Sequence, residues 1–190
     1  MNNTAVFASG AGTNAQRIIE HFSGSEISKV SILLTNNKNA GAIAKAQELG
    51  VPVTIFDRND FYSSDKVLDI LIDNNVGFII LAGFLWLIPE NILKKFENRI
   101  INIHPALLPA YGGKGMYGRN VHEAVIAAGE KESGITIHYV NNEYDKGSIV
   151  FRASCVVDEN ETPDTLAEKI HALEYRYYPS IAEKLIKESI

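Results

Sequence analysis

The sequence predicts an α/β protein: a Rossmann-like, open, mostly parallel sheet with helices on both faces, in a single domain. Two observations predict it. Through the first hundred residues, short apolar or β-branched runs alternate with helix-length segments, the pattern of consecutive β-α-β units. Those runs are also near-continuously apolar, as strands covered by helices on both faces must be. At 190 residues the chain is long enough for one well-buried core and demands no second domain.

Strands are predicted over residues 4–8, 30–34, 53–56, 78–82 and 99–103. Between them, helices are predicted over 14–22, 40–49, 65–74 and 89–96, with Gly50 as a C-terminal stop and Pro89 suited to a first turn. After His104 the pattern changes to a glycine-rich loop reaching about Gly118, then a helix near 121–128. Alternation over 135–140 and a hairpin-like return over 148–151 follow. Thr162 and Pro163 open a long amphipathic helix carrying Leu166, Ile170, Leu173, Tyr177, Ile181 and Leu185 at helical spacing.

Bulk properties exclude several classes. A net charge of −5 without a Lys/Arg stripe argues against a nucleic-acid partner, although a local phosphate pocket stays compatible with an acidic protein. Cys155 is the one cysteine, and no Cys/His cluster has zinc-ligand spacing, so neither a disulfide nor a metal is expected. A reducing compartment fits, and the N-terminus lacks the basic start of a secretory signal, which points to the cytoplasm. The longest apolar run, 78–88, is interrupted by Gly83 and falls well short of the roughly 20 residues of a membrane helix.

Three stretches carry chemistry. Residues 9–14, S-G-A-G-T-N, sit where the first strand meets the first helix; glycines there allow a tight turn, and free amides at a helix start can hold a phosphate. The pattern is not G-x-G-x-x-G, and Asn36-Asn37 after the second strand supplies no acidic residue for a dinucleotide ribose, so NAD ranks low. Asn102 and His104 are two positions apart at a strand end, so both tips face one way, and Pro105 stops the strand. Alone, N-x-H-P also describes a capped strand with a satisfied histidine. Asp145, in the turn 142–147, could face His104, but taken singly it reads more readily as a solvated turn residue.

Taken in order, S-G-x-G-T-N at 9–14, L-A-G-F at 81–84, N-I-H-P-A-L-L-P at 102–109, G-I-T-I-H at 134–138 and D-K-G at 145–147 closely resemble the folate-dependent phosphoribosylglycinamide formyltransferases across essentially the whole chain. The resemblance implies transfer of the formyl group of 10-formyltetrahydrofolate to the amine of glycinamide ribonucleotide. It makes Asn102, His104 and Asp145 the catalytic trio. Gly12, Thr13, Asn14, Gly83 and Glu174 fall to the acceptor. Leu85, Trp86, Leu87 and Ile88 fall to the pterin pocket, with Asn102 and Lys66 also on the folate side. About 1–100 would form the acceptor-phosphate half and about 101–190 the catalytic and folate half, in a monomer or homodimer. Asp145 beside His104 would raise the imidazole's pKa and make it a proton donor near neutral pH.

The sequence departs from that pattern in three places. Trp86 occupies a position where many members carry an arginine toward the folate's glutamate tail, and the loop 112–118 is longer than in many relatives. Lys66, with Arg58 as the other choice, is the expected basic residue before the third predicted helix. A formyltetrahydrofolate hydrolase or a non-catalytic phosphate-ligand binding protein remain the competing readings.

Overall fold

The computed structural model describes residues 2–189. The expected parallel strands are present as β1 (Asn2–Phe7), β2 (Ser28–Thr35), β3 (Val53–Ile55), β4 (Val76–Leu81) and β5 (Ile100–His104). Two antiparallel strands, β6 (Glu132–Tyr139) and β7 (Ile149–Val156), extend the sheet to the order β3-β2-β1-β4-β5-β6-β7. The return predicted at 148–151 is thus a full strand, because β6 is long enough to pair with it as far as Glu132.

Helices α1 (Thr13–Phe22), α2 (Ala42–Glu48), α6 (Arg119–Ala127) and α7 (Pro163–Glu188) feed one core layer, and α3 (Arg58–Tyr62), α4 (Lys66–Asp73) and α5 (Glu90–Lys95) the other. Strand alternation divides the side chains between them. Val6 and Ala8 face the first layer while Ala5 and Phe7 face the second; Phe78 and Ile80 oppose Ile79 and Leu81 in the same way. The short helix α3 was not anticipated. Its five residues are too few for periodicity to show, and it is held by a capping box in which Asp57 accepts from the Asp60 amide and Asp60 from the Asp57 amide. Pro89 is the N-cap of α5 rather than a residue of its first turn.

The chain turns outward twice from β1, to β2 and β3 on one side and to β4 and β5 on the other, which leaves a crevice at the carboxyl ends of β1 and β4. Hydrogen bonds knit the loops at that end. Ser9 Oγ donates to Asn36 Oδ1, the Leu85 amide donates to Ser9 Oγ, and Asn37 Nδ2 donates to the Ser9 carbonyl. The Asn36-Asn37 pair is therefore structural glue between the loops after β1 and β2. Gly12 takes φ 76°, and a Cβ there would overlap Ala42, so a glycine lets the starts of α1 and α2 approach.

On the outer side of the crevice, α7 packs across α1, α6 and the β6-β7 end of the sheet. Its Tyr178 is fully buried, and the phenol donates to the Leu81 carbonyl at 2.8 Å and lies 3.3 Å from that of Ile101, joining the ends of β4 and β5. No helix among the described residues is long and apolar enough to cross a membrane. Replacing Tyr178 by Phe leaves those buried carbonyls without their donor and is expected to lower the unfolding free energy by about 1–2 kcal/mol, measured by urea denaturation.

Candidate active site

Asn102 and His104 lie on the same face of β5, and the antiparallel register sets His138 of β6 opposite Asn102 and Thr136 opposite His104. The four side chains form a polar strip at the end of an otherwise apolar sheet. Thr136 Oγ1 donates to the Ala106 carbonyl and accepts from the Leu108 amide, which turns the chain sharply after Pro105; the Leu108-Pro109 peptide is cis. His138 Nδ1 lies 2.8 Å from the Tyr139 carbonyl, so that nitrogen carries the proton. Its Nε2 then accepts from Asn102 Nδ2 at 3.2 Å, leaving the second amide hydrogen of Asn102 free for a ligand.

His104 is held from its far side. Its Nε2 donates to the Tyr111 carbonyl at 2.7 Å, leaving Nδ1 as the nitrogen that titrates. Asp145 Oδ2 lies 3.5 Å from that Nδ1, and Oδ1 lies 3.6 Å from His138 Nε2. Asp145 sits in the left-handed region at φ 57° and accepts the Gly113 amide at 2.8 Å. Gly147 of the same turn has no room for a Cβ, which would overlap the Tyr139 carbonyl. The D-K-G turn is thereby pinned against the end of β6.

The electrostatics correct one expectation. Burial pulls the His104 imidazole below the usual histidine range, and Asp145 and the bond to Tyr111 oppose this without reversing it. Burial likewise pushes the Asp145 carboxyl up, but the His104 charge and the Gly113 amide oppose it, and the carboxylate sits below its ordinary value. Asp145 therefore limits the loss of imidazolium at His104; it does not raise the pKa above normal.

These groups open into a cleft of about 730 Å³, in the range of small-molecule sites. Every predicted site residue except Lys66 lines it. On one side run the loop after β1, with Gly12, Thr13 and Asn14, and the α7 residues His171 and Glu174; on the other runs the segment from Gly83 to Ile88. Asn14 Nδ2 donates to Glu174 at 2.8 Å, and burial pushes that carboxyl up to about 7.

Lys66 is elsewhere, paired with Asp60 at 3.0 Å. Arg58 is the cation beside Trp86: its guanidinium lies 5.6 Å from the Trp86 ring and 5.2 Å from that of Tyr62. Trp86 itself packs among Phe56, Phe61, Tyr62 and Phe84. Sequence reasoning also missed His138, although the alternation of 135–140 opposite 99–103 holds the signal. It missed the Tyr111 carbonyl and His122 as well, for which no sequence signal exists. Among the described residues, no group of three or more His, Cys, Asp and Glu side chains could hold a metal ion.

The formyl transferase family model matches residues 2–182. The chain is 33% identical to the phosphoribosylglycinamide formyltransferase of Bacillus subtilis, covering 98% of this chain and 95% of that one. It is 42% identical to the chloroplastic enzyme of that name from Arabidopsis thaliana, over 98% of this chain but only 66% of the relative; against the Vigna unguiculata form it spans 61%. The crystal structure of the Bacillus halodurans phosphoribosylglycinamide formyltransferase superposes with a TM-score of 0.87 at 34% identity, covering 100% of this chain and 97% of that one.

Two outcomes follow from the charges. The folded protein keeps a proton on Glu174 between about pH 4.5 and 7 that the unfolded chain releases, so this group's contribution to stability falls as pH rises through that window. Glu174→Gln is expected to raise the unfolding free energy near pH 8 by up to about 3 kcal/mol and to change it little near pH 4, read by denaturant titration at the two pH values. Asp145→Asn removes the charge that supports the His104 imidazolium. The alkaline limb of the pH–rate profile is expected to move to lower pH, and an unmoved limb would separate Asp145 from His104.

Proposed function

Because this chain belongs to the formyl transferase family, we propose that it transfers the formyl group of 10-formyltetrahydrofolate to the primary amine of glycinamide ribonucleotide, a step of purine synthesis. The observation that carries the reading is the meeting of Asn102, His104 and Asp145 in one cleft, between a phosphate-type loop and an apolar wall. Residues of about 1–100 bring both the acceptor's phosphate loop and the apolar wall at Leu85 to Ile88, and those of about 101–190 bring the trio and Glu174.

In this mechanism the uncharged amine attacks the formyl carbon, and negative charge grows on the formyl oxygen. The free N–H of Asn102 and the Nδ1–H of His104 donate to that oxygen, stabilising it by a few kcal/mol each in a site sheltered from water. The amine then gives up a proton, the bond from the formyl carbon to the folate nitrogen breaks, and that nitrogen leaves as N–H. Asp145 holds the imidazolium at His104 through the step. Gly12, Thr13 and Asn14 offer the start of α1 to the phosphate, and Glu174 accepts from the acceptor's hydroxyls.

Leu85 to Ile88 bound the donor's flat heterocycle, with Arg58 lying over the Trp86 ring, while Gly83 stays on the acceptor's side. Arg58, the other basic residue weighed for the folate side, lies against Trp86 and serves here as the cation toward the glutamate tail, whereas Lys66 is paired with Asp60. A reducing compartment such as the cytoplasm suits the free thiol of Cys155.

The test is absorbance-monitored loss of the formyl group from a 10-formyl-folate with and without glycinamide ribonucleotide. Turnover that requires the acceptor is expected; turnover without it would make the protein a hydrolase, and none in either case would make it a binding protein. His104→Ala is expected to lower kcat by about 10²–10³ while acceptor binding persists. Arg58→Ala is expected to raise KM for a polyglutamylated donor more than for a monoglutamyl one.

A further inference from the structure

Three consecutive residues hold both members of the His104 and Asp145 pair. The Tyr111 carbonyl accepts from His104 Nε2, and the Gly113 amide donates to Asp145 Oδ2. Gly112 between them lies so close that a Cβ there would overlap the Leu108 side chain and press on the Asp145 Cβ. The clip is tight at the site, but its backbone is not at rest. Tyr111 takes φ 56°, a left-handed conformation that a bulky residue keeps only where its surroundings hold it.

What holds Tyr111 lies outside the cleft. Its ring is half-buried against the core, and its phenol donates to Glu130 Oε1 at 2.7 Å. Neither residue lines the cleft. Glu130 is in turn rigidly placed, because Gly129, at φ 67°, ends α6 with a closed corner: its amide donates to the Ile126 carbonyl and the Glu130 amide to that of Val125. Two residues later the chain enters β6 at Glu132. The carboxylate is thus carried on a fixed corner, and by accepting from the phenol it raises the pKa of Tyr111, which keeps the donor protonated. The far end of the loop has its own tie, Asn120 donating to the Gly115 carbonyl, so the bond to Glu130 governs the end that meets His104.

We propose that Tyr111 and Glu130 are positioning residues for the transfer: their bond keeps the Tyr111 carbonyl on His104 Nε2 and so leaves Nδ1 turned to the reacting oxygen. The kinetic consequence rests on the function proposed above; the effect on the ring does not. With the tie cut, Tyr111 is free to leave the left-handed region and take its carbonyl away from Nε2. The neutral ring can then carry its proton on Nδ1, toward Asp145, and fewer molecules hold the tautomer whose Nδ1 takes up the catalytic proton. A bond remote from both substrates thereby sets kcat without touching the binding of either.

The experiment compares Tyr111→Phe, Glu130→Ala, their double variant and Glu130→Gln, in acceptor-dependent turnover and by the nitrogen-15 shifts of neutral His104 without substrates. Tyr111→Phe keeps the packed ring and removes only the donor. Tyr111→Phe and Glu130→Ala are each expected to lower kcat by about 3–10-fold, the worth of one hydrogen bond, with KM for both substrates within about twofold of the parent. Because both cut the same bond, the double variant is expected to be no slower than the slower single one. Glu130→Gln retains an accepting oxygen and is expected to keep kcat near that of the parent. The neutral ring should pass from Nε2–H alone to a mixture of both N–H forms in the cut variants and in no other. A ring that stays wholly Nε2–H in both cut variants would overturn the proposal, as would losses of kcat that multiply in the double variant. Mixed tautomers in the cut variants of a protein that does not turn over glycinamide ribonucleotide would uphold the tie and defeat the acceptor reading alone.

Discussion

The hydrogen bond from His104 Nε2 to the Tyr111 carbonyl is the constraint on which the site depends. It fixes which nitrogen of a buried imidazole can exchange a proton, and it does so with a backbone acceptor that cannot itself titrate. The same loop returns its Gly113 amide to Asp145, so one stretch of chain positions both the imidazole and the carboxylate beside it. Tyr111 is in turn anchored by its phenol donating to Glu130, which ties the loop to the segment entering β6.

The sheet makes this arrangement possible. A parallel sheet ending at β5 would leave His104 at an open edge; the antiparallel β6 closes that edge and brings His138 into register with Asn102. Outward turns of the chain on either side of β1 place the phosphate-type loop within reach of the same cleft. Burial then governs the chemistry. It depresses His104 and His122 and raises Glu174, while the His104 ring and the Gly113 amide keep the Asp145 carboxylate charged.

Much of this was legible in the residues. Near-continuous apolar runs separated by helix-length segments sufficed for the parallel strands, since strands buried on both faces mark parallel α/β sheets covered by helices. Motif order singled out Asn102, His104 and Asp145, and the fold brings the three side chains into one cleft. What failed did so for physical reasons. The five residues of α3 carry their signal in a capping box rather than in periodicity. Lys66 and Arg58 are both basic residues near the start of a helix, and only the packing of Phe56, Phe61, Tyr62 and Trp86 sets Arg58 rather than Lys66 against the Trp86 ring. The net direction of the His104 shift depends on how far burial outweighs one carboxylate, a balance that spacing cannot encode.

The most direct test is the nitrogen-15 chemical shift of both His104 ring nitrogens followed across pH. Locked by the Tyr111 carbonyl, Nε2 should stay protonated throughout while Nδ1 alone titrates, with its midpoint below the ordinary histidine value. Titration at Nε2, or a midpoint above the ordinary value, would contradict the view that this backbone bond and burial set the proton chemistry of the site.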